Sequence, residues 1–70
     1  MVEKTVDLTG TSTSGIEDAV ALAIKRAGVT IKNIRQAKVV DAVALVEENA
    51  VLRWRVRVEI TFLVEDPLHE

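Results

Sequence analysis

The amino-acid sequence predicts an α+β domain of β-α-β-β order, with a three-stranded antiparallel sheet packed around one helix. Three observations predict it. Residues 51–62, VLRWRVRVEITF, alternate apolar and polar side chains with the period of two of a strand that has unlike faces. Residues 16–31 repeat apolar side chains at the i, i+3, i+4, i+7 spacing of an amphipathic helix. A polar trio, EEN at 47–49, separates two long apolar runs as a hairpin turn would.

Each element follows in chain order. Val2, Lys4, Val6 and Leu8 alternate with Glu3, Thr5 and Asp7, which predicts a partly polar edge strand over about 2–9. The stretch TGTSTSGIED then supplies a turn, and Ser14 with Glu17 fits the S-x-x-E capping box, placing the helix start at Gly15. Ile16, Ala19, Val20, Ala23, Ile24, Ala27 and Ile31 form its apolar stripe; acids come early and bases late, as the helix dipole prefers. Gly28 either ends this helix or sits within one that continues to about Asn33. RQAKVVDAVALV, from Arg35 to Val46, is rich in Val and lacks a helical period, which predicts a second strand. A third strand is expected from about Ala50 to Val64. Residues 65–70, EDPLHE, read as a flexible polar tail of a single domain spanning 1–70, with Pro67 marking the end of the sheet.

Composition narrows the function. A chain of 70 residues buries only about 60% of its unfolded surface, so a small domain of this kind calls on disulfides, a metal or oligomerisation. It has no cysteine and one histidine, His69 in the tail, which removes thiolate chemistry, Cys- and His-type metal sites and a Ser-His-Asp triad. Ser12, Thr13 and Ser14 have no base near them in sequence and read as cap and turn residues, so no enzyme is expected. Hydrophobic residues make up 49% of the chain with a single Trp and a single Phe, and this much aliphatic surface predicts burial against other copies. The chain has a pI near 5.3, no signal-like start and no membrane-length apolar run, so the expectation is a cytoplasmic protein that binds neither membrane nor nucleic acid.

VDLTGTSTSGIEDAVALAIKRA, followed by NIRQAKVVD and RVRVEITFLVED, resembles the dodecins over about residues 3–65. The resemblance implies a hollow shell of twelve identical subunits that binds or stores small ligands and is not catalytic. It also implies that the family's flavin site maps onto Gln36, Arg55 and Asp41. Two of these differ in kind: Gln36 stands where flavin-binding members place a ring-stacking Trp, and Arg55 where they place a Gln that bonds the flavin edge. Losing the stacked ring removes about 0.5–1.5 kcal/mol beyond burial, so flavin binding is expected to be weak or absent. Calcium is the competing cofactor, with Asp41 and Glu59 as candidate ligands and oxygens from symmetry copies completing a site that needs six to eight. A further alternative is a flavin or nucleotide held by a different contact set.

On the third strand, Leu52, Trp54, Val56, Val58 and Ile60 are expected to face the helix, with Trp54 in the core or a subunit interface. Arg53, Arg55 and Arg57 share the opposite face, which is expected to be solvated or to form ion pairs between neighbouring subunits, the sharper alternative being a phosphate-bearing ligand held by Arg55 and a neighbour. Asp41, set between Val40 and Ala42, reads as a buried carboxylate in need of a partner, an arginine or a cation.

Overall fold

A computed structural model describes residues 2–64; the predicted tail, with Pro67 and His69, lies outside them. Strand β1 (Val2–Ser12), helix α1 (Ile16–Ala27), strand β2 (Ile34–Glu47) and strand β3 (Ala50–Val64) follow in the expected order. Both strand pairings are antiparallel and β3 is central, giving the order β1-β3-β2. β1 is thus an edge strand, and it runs three residues further than its alternating pattern indicates, because Gly10, Thr11 and Ser12 continue the ladder opposite Val56, Arg55 and Trp54.

The helix lies on the face carrying Val56, Val58 and Ile60, which are the only fully buried side chains larger than alanine among the described residues. From the helix, Ala19, Ala23 and Ala27 are buried against them, while Val6, Leu8, Val20, Ile24, Ile31, Ile34 and Ala37 pack around the margin. Alanine lets the helix approach the sheet closely, and Gly10 takes this furthest. A Cβ at Gly10 would overlap the Ala19 carbonyl oxygen and lie 3.2 Å from the Ala23 Cβ. Ile16, at the end of the predicted stripe, is 38% exposed and falls outside the core.

The helix start departs from the predicted capping box. Gly15 is the N-cap and carries no side-chain cap, and the residues that organise this end are Ser12 and Asp18. The buried Ser12 hydroxyl donates to Asp18 Oδ2 at 2.5 Å and accepts from the Ser14 N–H at 2.9 Å. Because β1 continues to Ser12, that hydroxyl is delivered to the first helical turn from the strand, and Ser14 is left as a turn residue. At the other end Gly28 closes the helix, its N–H bonding to the Ile24 carbonyl at 2.9 Å. Asn33, at φ 64°, then turns the chain into β2 and accepts a bond from the Leu63 N–H at 3.1 Å.

β2 and β3 form a long hairpin closed at Glu48 and Asn49, whose φ of 52° and 62° suit the tight turn that matches strand twist. Two register shifts bend β2: Arg35 and Val40 are each an extra residue with no partner on β3. Each shift exchanges the faces of the residues that follow it. Ala37 and Val39 share the helix side with Ile60 and Val58, but beyond Val40 that side passes to Ala42 and Ala44.

Candidate ligand-binding face

The shift at Val40 determines where Asp41 points. Unbroken alternation from Val39 would turn Asp41 toward the helix side; with the extra residue it lies opposite Arg57, on the other face, and is exposed. The expectation of a buried carboxylate is therefore corrected, while its neighbour across the strands is an arginine.

The sheet face away from the helix can be read row by row across β1, β3 and β2. Thr11, Arg55 and Val43 make one row, and Thr9, Arg57 and Asp41 the next. Then come Asp7, Glu59 and Lys38, followed by Thr5, Thr61 and Gln36, where the two threonine hydroxyls are 3.1 Å apart. Arg53 extends the arginine row toward the hairpin tip, opposite Leu45. Arg53, Arg55 and Arg57 are all exposed. The face is divided in charge: three arginines against Asp41 toward the tip, and Glu3, Asp7 and Glu59 against Lys38 toward the other end.

The candidate site residues are spread along this face. Gln36 is level with Thr61, six residues from Arg55, and at about 3.3 Å per residue that is roughly 20 Å. One chain does not bring Gln36 and Arg55 to a common small ligand, so a ligand touching both positions must lie between chains. Asp41 and Glu59 occupy diagonal positions in adjacent rows, where Cα atoms are about 7–8 Å apart. Among the described residues no group of three acidic or histidine side chains within the chain is placed to hold a metal ion. The donors among the described residues of one chain do not complete a calcium site.

Asp7 is the residue that sequence reasoning missed. It stands directly opposite Glu59, and like charges in that relation are destabilising unless something neutral or positive lies between them. Its alternation with Val6 and Leu8 marks it as outward-facing, but only the β1–β3 register shows what it faces.

Trp54 is half-buried at the N-terminal end of the helix, where an open depression of about 750 Å³ is lined by Ser14, Gly15, Ile16, Glu17, Asp18 and Trp54. Beyond Trp54 the hairpin extends as a two-stranded ribbon with no partner on β1. Its aliphatic side chains are open, with Val46 62% and Val51 50% exposed, and Leu52, expected to face the core, is 42% exposed. Among the described residues no helix is long and apolar enough to cross a membrane.

Comparison with known proteins agrees on one family. The dodecin family model matches residues 2–65. A calcium dodecin from Mycobacterium tuberculosis is 33% identical over 61 residues, which cover 87% of this chain and 86% of that protein. A crystal structure of the Mycobacterium tuberculosis calcium dodecin, described as having a novel calcium-binding site, superposes with a TM-score of 0.81 at 30% identity, covering 96% of each chain. An arginine-to-alanine mutant of the Thermus thermophilus dodecin gives a TM-score of 0.88 at 32% identity, covering 93% of this chain and 97% of that one.

Proposed function

Because the chain belongs to the dodecin family, we propose that it is a subunit of a hollow homododecameric shell that binds or stores small ligands and catalyses no reaction. The observation that carries this reading is the shape of the subunit. It measures 56 × 19 × 12 Å with a radius of gyration of 14.7 Å, against about 11 Å for a compact domain of this length. A two-stranded ribbon is marginal in water by itself, and this one projects aliphatic side chains that nothing among the described residues covers. Contact with other copies supplies that cover, and closed symmetry keeps it from propagating without limit.

The ligand is not expected to be a ring-stacked flavin. Gln36 supplies no aromatic platform, and an Arg at position 55 places a charged fork where a flavin edge would meet a neutral amide. A second reading, a calcium-binding dodecin, is favoured by one pair of residues. Asp7 and Glu59 face each other with Lys38 only on the far side of Glu59, so Asp7 has no cation opposite it, and a divalent cation with oxygens from neighbouring copies would relieve the repulsion of the two carboxylates.

Assembly is tested by light scattering on the purified protein at micromolar concentration. A mass of twelve chains is expected, and a stable, folded monomer would overturn the proposal.

A further inference from the structure

We infer that the outward groove of α1 is the docking site for residues 65–70 of the same chain, EDPLHE, with Leu68 as the apolar anchor and Glu65, Asp66 and Glu70 set against the bases at the helix end. The inference goes beyond the proposed function and holds for the chain whether or not the shell closes.

The groove lies on the side of the helix turned away from the core. Leu22, Lys25, Arg26 and Val29 line an open volume of about 420 Å³, and their i, i+3, i+4, i+7 spacing places them on one stripe. Ala19, Ala23 and Ala27, which meet the sheet, occupy another. Leu22 is 45% exposed and Val29 77%, the latter the most exposed large hydrophobic side chain among the described residues.

Charge and chain path both point to the occupant. From Ala19 to Val40 the sequence has five bases, Lys25, Arg26, Lys32, Arg35 and Lys38, and no acid, whereas residues 65–70 carry three acids and one leucine. Lys38 faces Glu59 across the ladder, but Lys25, Arg26 and Lys32 are exposed on the helix and the loop after it. The helix starts beside Ser12 and runs back along β1, so its last turn lies toward the end at which β3 finishes. There the Leu63 N–H bonds to the Asn33 carbonyl at 3.1 Å. Val29 is four residues before Asn33 and Leu68 is five beyond Leu63, spans of at most about 14 and 18 Å, so the two are within reach of each other. Pro67 has no N–H with which to extend the ladder beyond Val64. A tethered segment is present at an effective concentration in the millimolar range, which favours it over a free acidic peptide of like composition. Exposed ion pairs each contribute little, so Leu68 against Leu22 and Val29 carries the contact and the acids orient it.

The test exploits the absence of cysteine from the sequence. Thr30→Cys with His69→Cys places one thiol beside each partner and leaves Leu68, Val29 and the lysines intact. Under glutathione disulfide the pair is expected to form a bridge within one chain, read as a monomer band on a non-reducing denaturing gel. It should form at least tenfold faster than in Thr13→Cys with His69→Cys, because Thr13 is exposed beyond the far end of a helix about 18 Å long. Added to the Thr30 and His69 pair, Leu68→Ser should slow the reaction at least threefold, as should Lys25→Glu with Arg26→Glu. Leu68→Ser lies outside the folded elements, so it keeps the test decisive if the double charge reversal disturbs the helix. A rate unchanged by Leu68→Ser would show a tail that merely collides with the groove and would overturn the inference. Equal bridging to Thr13 would overturn it too, and so would a bridge joining two chains, which would place the segment on a neighbouring copy.

Discussion

Gly10→Ala is expected to be the most damaging single methyl group that can be added to this chain. The new Cβ would overlap the Ala19 carbonyl oxygen and lie 3.1 Å from the Ala19 carbonyl carbon and 3.2 Å from the Ala23 Cβ. Two of these three atoms are helix backbone, so no rotamer change relieves them. The helix must shift away from β1, loosening the contacts of Ala19 and Ala23 with the central strand. Overpacking of this kind costs about 1–3 kcal/mol, and in a domain of this size each kcal/mol lowers the melting midpoint by about 4–8 °C. The loss is read by circular dichroism melts of parent and variant at one protein concentration, since assembly makes the midpoint concentration-dependent. Gly28→Ala is the control: its φ of −65° suits alanine and its closest new contact is 3.3 Å, so a change within about 1 kcal/mol of either sign is expected. A Gly10→Ala midpoint within about 2 °C of the parent would show that the helix does not sit as closely on β1 as described.

Two other substitutions probe the open face. Gln36→Trp should tighten riboflavin binding, read as fluorescence quenching, about two- to tenfold over a weakly binding parent, because it restores about 0.5–1.5 kcal/mol of ring stacking; stoichiometric quenching by the parent at sub-micromolar protein would refute the flavin argument. Asp7→Asn removes one of two facing carboxylates and, with no cation present, should stabilise by about 0.2–1 kcal/mol. If calcium sits there, chelator should lower the parent's melting midpoint and calcium should restore it better than magnesium, a response that Asp7→Asn abolishes.

The element order and the buried face of β3 are legible in the amino-acid sequence alone. Val56, Val58 and Ile60 alternate with arginines, and no other arrangement removes those three from water while leaving the guanidinium groups solvated. The alanine-spaced stripe of the helix and the polar break at the hairpin were legible for the same reason: each is a periodicity carried by neighbours along the chain. The features that emerge only on folding depend on register. The extra residue at Val40 reverses the facing of β2, placing Asp41 in the open opposite Arg57, and a run as uniform as KVVDAVALV contains nothing that locates such a shift. Ser12 takes over from Ser14 at the helix start because β1 continues along its partner to Trp54, a pairing between residues 42 apart in sequence. The pairing of Asp7 with Glu59, and the threonines and aliphatic side chains flanking the arginines, arise likewise from the β1–β3 and β2–β3 ladders. Local patterning specifies which side chains seek water and which avoid it; hydrogen-bond register between distant strands specifies which of them meet.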